Sequence, residues 1–82
     1  MIDFGNIKRL NEDEFHRFAR LIYAESGIFL KDTKITLLSN RLRKRLQALN
    51  LDSFSDYYEY IQRLSDKTKE LEQLIDVVST NE

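Results

Sequence analysis

The sequence predicts an all-α fold, a compact bundle of about four short helices in a single small domain. Four segments carry apolar residues at spacings of three and four, which is the period of a helix with one buried face. Proline is absent and glycine occurs only twice, so the chain has few of the turn signals that are typical of β-structure. Its 82 residues suffice for one core, which buries only about 60% of the surface of the unfolded chain.

The first predicted helix begins after Asn11, a typical N-cap residue. Glu14 follows three residues later, where its side chain can complete a capping box. Gly27 stands where a left-handed C-cap would end the helix, near Ser26. The residues that share the predicted inner face are Phe15, Phe18, Ala19 and Ile22. The apolar residues that follow the helix are expected to fill the space before the next one; they are Ile28, Phe29 and Leu30.

The second predicted helix, within Asp32 to Asn50, is the element around which the rest of the chain is arranged. Asp32 or Thr33 is expected to cap its start, and Asn50 offers a left-handed stop. Its apolar residues fall within a narrow arc that should face the core. These residues are Ile35, Leu38, Leu42, Leu46 and Leu49.

The same segment concentrates the positive charge of an otherwise acidic chain. It contains no acid between Thr33 and Asn50, and its five bases are Lys34, Arg41, Arg43, Lys44 and Arg45. At about 100° per residue, Lys34, Arg41 and Arg45 share one flank of the apolar arc, Lys44 lies further round, and Arg43 lies on the opposite flank. Cations with no acid beside them indicate an anionic partner, although a solvated helix face with no partner is the alternative.

The third predicted helix runs from about Phe54 to Leu64, after Ser53 as its N-cap with Asp56 three residues on. Aromatic residues at helical spacing are more often core than a stacking platform for bases or a cofactor. The predicted inner side consists of Phe54, Tyr57, Tyr58, Ile61 and Leu64.

The fourth predicted helix runs from Lys67 to Ser79 and is acidic. Its apolar side consists of Leu71, Leu74, Ile75 and Val78. Its polar side, which is expected to face solvent, consists of Glu70, Glu72, Gln73 and Asp76.

Catalytic machinery is missing from this sequence. The only histidine, His16, falls on the polar boundary of the first helix, and there is no cysteine, so a zinc cluster is not expected. Two glycines cannot form a glycine-rich phosphate loop. No apolar run approaches the ~18 residues of a membrane span, and the N-terminus lacks a signal-peptide pattern, so we expect a cytoplasmic location. The chain alone is predicted to be a binding or accessory module without enzymatic activity.

Three short motifs add information that composition and periodicity do not contain. They are the S-G-I-x-L connector at residues 26–30, the R-L-x-K-R-L run at residues 41–46 and the T-N-E at residues 80–82. From Asn11 onward, nearly the whole chain resembles the N-terminal helical domain of the chemotaxis receptor methyltransferases, the CheR family.

This resemblance implies a two-domain parent enzyme that transfers a methyl group from S-adenosylmethionine to glutamate residues of chemoreceptors. Residues 1–10 would be an N-terminal arm, residues 11–79 the helical domain, and residues 80–82 the start of the junction to an α/β methyltransferase domain. Asn81 matches a cofactor-contacting position of that junction. The implied partners are the cytoplasmic methylation helices of the receptors and the C-terminal domain of the parent. The implied receptor contacts are Lys34, Arg41, Arg43, Lys44 and Arg45.

Two other functions remain open, a nucleic-acid-binding helical module and a stand-alone protein-interaction module. The net charge of −1 and the pI of about 5.8 argue against the first, because nucleic-acid-binding domains usually carry a basic excess. We therefore expect no nucleic-acid partner and no direct membrane insertion.

Overall fold

The computed structural model describes residues 9–79 as four helices joined by short connections. The helices are α1 (Glu12–Ser26), α2 (Ile35–Leu49), α3 (Phe54–Arg63) and α4 (Thr68–Ser79), and a 3-10 turn (Asp32–Lys34) directly precedes α2. The part of the chain from residue 9 to residue 79 contains no strand, which confirms the predicted all-α bundle. The start of the predicted arm, residues 1–8, lies outside the described residues.

α1 begins and ends as its sequence predicts. The side chain of Asn11 accepts a hydrogen bond from the Glu14 N–H (2.8 Å), and the Glu14 carboxylate accepts one from the Asn11 N–H (3.0 Å). At the other end Gly27 has a φ of 77°, and its N–H donates to the carbonyl of Tyr23. A left-handed φ favours glycine because a Cβ atom is strained there. The capping box and the glycine stop are both confirmed.

The start of α2 differs from its prediction. Neither Asp32 nor Thr33 caps it with a side chain; instead the chain enters the helix through the 3-10 turn, in which the Lys34 N–H donates to the carbonyl of Lys31 (2.8 Å). Such a turn satisfies a backbone N–H that an N-cap side chain would otherwise serve. The predicted end is confirmed, since Asn50 has a φ of 59° and a ψ of 41°.

α3 and α4 lie within one residue of their predicted ends. The Ser53 hydroxyl accepts a hydrogen bond from the Asp56 N–H (3.0 Å), which confirms the predicted N-cap of α3. Before α4 the carboxylate of Asp66 accepts a hydrogen bond from the Thr68 N–H (3.0 Å), and this bond lowers the pKa of Asp66.

One continuous core joins the four helices. Tyr57 is fully buried and stacks on Phe18, with ring centroids 5.8 Å apart, while Tyr58 meets Phe18 edge to face. Burying a side chain of this size contributes about 1.5–3 kcal/mol. The buried apolar residues are Leu10, Phe15, Phe18, Ile22, Leu38, Leu42, Leu46, Phe54, Tyr57, Ile61, Leu71 and Leu74. The predicted inner faces are therefore confirmed except at Leu64, which follows α3 as its C-cap and is half-buried outside this core. The predicted inner residues that lie half-buried at the edges of the core are Ala19, Ile35, Leu49, Tyr58, Ile75 and Val78. The prediction that Phe29 fills the space behind the first helix is wrong, since its side chain is 72% exposed.

A buried serine fixes how the chain enters the bundle. Ser39 on α2 is fully buried, and its hydroxyl accepts a hydrogen bond from the Leu10 N–H (2.8 Å) and donates one to the carbonyl of Ile35 (2.7 Å). A buried backbone N–H without a partner would destabilise the fold. Ser39 thus fastens the residue before Asn11 to α2, and Leu10 belongs to the core.

Candidate functional site

The fold divides the basic residues of α2 between two environments. Arg41 is only 8% exposed and the side chain of Arg45 is 14% exposed, whereas Lys34 and Lys44 are exposed and Arg43 is half-buried. The prediction that Arg41 and Arg45 form an exposed stripe with Lys34 is therefore wrong. Their flank of the apolar arc packs against α4, and α4 supplies the acid that the sequence of α2 lacks.

That acid is Glu70, which binds Arg45 through two hydrogen bonds. Arg45 Nε lies 3.0 Å from Glu70 Oε2, and Arg45 Nη2 lies 2.7 Å from Glu70 Oε1. The hydroxyl of Tyr57 on α3 donates to the same Glu70 Oε2 at 2.6 Å. Planar, two-point pairing of a guanidinium with a carboxylate is among the stronger charge-assisted contacts in proteins. One carboxylate thus joins α2, α3 and α4.

The environment of this cluster of Arg45, Glu70 and Tyr57 fixes its charges. The hydrogen bond with Glu70 raises the pKa of Arg45, although partial burial opposes the shift. Burial, and then the hydrogen bond to Glu70, raise the pKa of Tyr57 well above its usual range. At neutral pH Arg45 is therefore a cation and Tyr57 a neutral phenol.

Glu70 is also a residue whose position sequence reasoning missed. It was predicted on the solvent side of α4, but it is 7% exposed. The available signal was its spacing, because Glu70 precedes the buried Leu74 by four residues and so shares its face. An acid at such a position is tolerated only with a partner, and Arg45 is that partner.

Arg41 makes a second contact between α2 and α4. Its Nη1 donates to the carbonyl of Val77 at 3.1 Å. The carbonyls of the last turn of a helix have no partner within the helix, and a cation is favourable near this negative end of the helix dipole. Arg41 precedes Arg45 in the chain, whereas Val77 follows Glu70, so α2 and α4 run antiparallel.

The outer side of α2 carries the more accessible bases. Lys44 is exposed, and Arg43 is half-buried and donates from Nη1 to the side chain of Asn40 (2.6 Å). Leu37 is 41% exposed and lies about two turns before Lys44 on the same face. Lys34 is exposed at the end of the 3-10 turn. This outer surface, defined as Lys34, Leu37, Arg43 and Lys44, is basic with one apolar member.

The other predicted sites are simpler. His16 is exposed, as predicted. Among residues 9–79 no three metal-ligating side chains come together, and no helix in that range is long and apolar enough to cross a membrane. Asn81, the predicted cofactor contact, lies outside the described residues.

Comparison with known proteins gives one consistent result. Residues 13–79 match the family described as "CheR methyltransferase, all-alpha domain". A chemotaxis protein methyltransferase of Salmonella typhimurium is 36% identical over 72 residues, which cover 88% of this chain and 25% of that protein. Proteins of the same name from Escherichia coli and Borreliella burgdorferi are 33% and 31% identical over 72 residues, with the same coverage. No solved structure shows a significant match.

The extent of these matches differs between this chain and its relatives. This chain spans about a quarter of the length of the curated relatives named above. The family match, in contrast, includes all four helices from residue 13 to residue 79. The resemblance read from the three sequence motifs is thereby confirmed, and the chain belongs to the CheR methyltransferase family as its all-alpha domain.

Proposed function

We propose that this domain is the substrate-docking part of a chemotaxis protein methyltransferase that methylates glutamate residues of chemoreceptors. The observation that carries the proposal is the outer surface of α2, where Lys34 and Lys44 are exposed on a segment without an acid of its own. The names of the relatives supply the reaction class. The chemistry of a glutamate-bearing partner helix supplies the complementary charge.

The proposed surface acts mainly on the rate and the orientation of association. An exposed ion pair contributes about 1 kcal/mol or less, because water and salt screen it. Several such charges together still steer an oppositely charged partner and disfavour wrong orientations. The basic surface is therefore expected to guide receptor helices toward the catalytic part of the enzyme more than to hold them there.

The five bases of the 3-10 turn and α2 have two different roles in this proposal. Lys34, Arg43 and Lys44 would contact receptor carboxylates. Arg41 and Arg45 would position the helix, because one is bonded to α4 through Val77 and the other through Glu70. An arginine already bound at two points to a buried carboxylate has little capacity for a second anion.

The chemistry of the proposed reaction lies outside the described residues. S-adenosylmethionine would supply the methyl group, and Asn81 remains the residue of this chain that is predicted to contact it. The remaining cofactor contacts are expected from the methyltransferase domain of the parent protein. This domain would contribute orientation of the substrate and not a reacting group.

The proposal can be tested by reversing charge on the outer surface of α2 in the full-length parent. We expect Arg43→Glu with Lys44→Glu to lower the initial rate of receptor methylation severalfold at low salt, because the steering charge is reversed. The difference should shrink at about 1 M salt, where the screening length falls to about 3 Å. The measurement is transfer of a labelled methyl group to receptor-containing membranes at both salt concentrations.

The matched control for this experiment is Arg63→Glu on α3. The side chain of Arg63 is 81% exposed and faces Glu59 at 3.6 Å, so its reversal changes the net charge by the same amount per site, away from α2. Its methylation rate should stay near that of the wild type. A wild-type rate at low salt for the α2 variant, with an unchanged circular dichroism spectrum, would rule out the docking role.

A further inference from the structure

The contact between α2 and α4 contains a charged pair at a place where apolar side chains could provide the same stability. Glu70 is 7% exposed and the side chain of Arg45 is 14% exposed, so both charges lose most of their water. Replacing a buried ion pair with apolar residues of similar volume is often neutral or stabilising. Net stability therefore does not account for the pair, and what it adds over an apolar contact is a fixed geometry.

The bonds of Glu70 fix direction as well as distance. Its two carboxylate oxygens accept from Arg45 Nη2 at 2.7 Å and from Arg45 Nε at 3.0 Å, so the two groups are joined at two points. The Tyr57 hydroxyl donates to Glu70 Oε2 at 2.6 Å, and its ring is stacked on Phe18 in the core. The carboxylate is thus held from α2 and from α3 at once, and it cannot follow one helix without breaking its bond to the other.

A second polar contact holds α4 near its other end. Arg41 Nη1 donates to the carbonyl of Val77 at 3.1 Å. Glu70 lies in the first turn of α4 and Val77 in the last, about 10 Å apart along the helix axis. Two bonds this far apart oppose both sliding of α4 along α2 and rotation about its own axis. Apolar contacts of the right volume preserve stability but leave the arrangement of helices less unique.

The same contacts orient the basic surface of α2. Arg43 and Lys44 directly precede Arg45 in the chain, and they belong to the outer surface proposed to meet receptor carboxylates. In that proposal the chain passes from α4 through residues 80–82 toward the methyltransferase domain. A receptor helix docked on α2 would then be placed relative to the methyl donor through α4, and Glu70 is the carboxylate that joins the two helices.

We propose, on the basis of the receptor-docking function given above, that Glu70 is a positioning residue for methyl transfer that acts through Arg45 on the outer surface of α2. Glu70 touches neither the receptor nor the cofactor in this role. It keeps the docking helix at one angle and one register to α4, and so fixes where the side chain of a docked glutamate arrives. A displacement of about 1 Å between reacting groups can lower a reaction rate about 100-fold, so a small change in this angle matters.

A positioning role and a docking role change different kinetic constants. Loss of docking charge weakens association with the receptor, so it raises the KM for the receptor and has little effect on the rate at saturation. Loss of position leaves the outer bases in place, so the receptor still binds, but the bound complex reacts more slowly and kcat falls. The affinity for S-adenosylmethionine should change in neither case.

The test uses the full-length parent with a combined variant that removes the whole cluster, Arg45→Met with Glu70→Leu and Tyr57→Phe. No member of the cluster is then left with an unpaired polar group, so the helical circular dichroism spectrum and cooperative urea unfolding should persist. We expect kcat for receptor methylation to fall about tenfold or more, whereas the receptor KM and the dissociation constant of S-adenosylmethionine should change by less than about twofold. The measurements are initial rates over a range of receptor concentrations and calorimetric titration with S-adenosylmethionine.

A milder variant and a matched control accompany the combined variant. Arg45→Lys keeps a cation beside Glu70 but replaces the two-point contact with a single ammonium group, so it should lower kcat in the same way and to a smaller degree. The control is Ile22→Val, which removes one methylene from a fully buried side chain of α1, a helix that contributes no group to the cluster. Its kcat should equal that of the wild type.

The positioning role is overturned if the combined variant is folded and keeps the wild-type kcat, or if it raises only the receptor KM. A loss of kcat in Ile22→Val as large as that in Arg45→Lys would also overturn it, because stability alone would then explain the effect. If the combined variant does not fold, a wild-type kcat for Arg45→Lys overturns it. The docking function fails separately, and the positioning role with it, if Arg43→Glu with Lys44→Glu methylates receptors at the wild-type rate at low salt.

Discussion

Arg45 and Lys44 are adjacent on the same basic helix, yet they belong to different parts of the molecule. Arg45 is held by Glu70 and shares that carboxylate with Tyr57. Lys44, about 100° further round the helix, is exposed. One residue of offset turns a side chain by about 100°, which is enough to move it from the contact with α4 to solvent. A run of like charges is therefore not one functional unit until the packing of its helix is known.

The two residues also differ in what their removal should cost. A buried ion pair adds little net stability compared with a well-packed apolar pair, because both charges lose their water. Removing only one partner is costly, since the other charge is left buried and unpaired. An exposed side chain such as Lys44 keeps most of its water, so its removal should cost much less. Removal of Arg45 should therefore lower the stability much more than removal of Lys44.

The largest effect is expected for Arg45→Ala. It leaves Glu70 buried with only the hydroxyl of Tyr57 as its partner, so the free energy of unfolding should fall by about 3 kcal/mol. Domains of this size are stable by only about 4–12 kcal/mol, so the loss should be obvious in urea unfolding followed by circular dichroism.

A combined variant distinguishes the cost of the unpaired carboxylate from a general loss of packing. Arg45→Met with Glu70→Leu and Tyr57→Phe removes both charges, together with the buried hydroxyl that would otherwise lose its acceptor, so it should recover most of the stability that Arg45→Ala loses. A combined variant as unstable as Arg45→Ala would show that the ion pair itself, and not the unpaired charge, stabilises the contact between α2 and α4.

An intermediate effect is expected for Tyr57→Phe. The ring stays in the core and only the hydrogen bond to Glu70 is lost, which should lower the free energy of unfolding by about 1–2 kcal/mol at neutral pH. Thermal and urea unfolding at pH 7 measure this change directly. A loss above that of Arg45→Ala would contradict the assignment of Arg45 as the main partner of Glu70.

Tyr57→Phe also allows a test at alkaline pH, by comparison of its stability with that of the wild type. The pKa of Tyr57 is raised in the folded state, so its neutral form is favoured by folding. That contribution is complete below the ordinary tyrosine pKa of about 10 and is lost as the pH rises above it, because the unfolded chain then releases its proton first. Wild-type stability should fall between about pH 10 and 11 more steeply than that of Tyr57→Phe. Parallel curves for the two proteins would contradict the burial of the phenol.

The smallest effect is expected for Lys44→Ala. An exposed side chain away from the core should change the free energy of unfolding by no more than about 0.5 kcal/mol. The measurement is the same urea titration, with the Arg45 variant as its reference. A loss comparable to that of Arg45→Ala would remove the distinction between the inner and outer sides of α2.

Local sequence signals predicted the helices well because they act over a few residues. Asn11 with Glu14, Gly27 and Asn50 each specify a helix end through their own side chain or backbone conformation, and each was found where predicted. The prediction for the start of α2 failed because a 3-10 turn precedes the helix and supplies backbone hydrogen bonds in place of a side-chain cap. Such a turn leaves no distinctive residue type in the sequence.

The candidate sites were less predictable, for a physical reason that Glu70 and Phe29 share. Glu70 is an acid at a position whose spacing indicates burial, and only the arrival of Arg45 from another helix makes that burial possible. Phe29 is an apolar residue that is exposed although both of its chain neighbours, Ile28 and Leu30, pack against the core. In both cases the side chain lies in an environment that is unusual for its type, an acid in the interior and an aromatic residue in solvent. Predictions from the sequence pattern assign the environment from the residue type, so they missed both.

The sequence by itself determined the all-α class, the helix ends marked by caps, the apolar faces and the family to which the chain belongs. These features are encoded locally, by spacing, by capping chemistry and by the order of residues. Only the tertiary structure decided which bases of α2 bind to α4 and that one carboxylate joins three helices. It also decided that Tyr23 and Phe29 line an open groove together with Arg20. Such facts depend on residues that meet from different helices, and the strength of a charge in a protein is set by the groups and the water that surround it after folding.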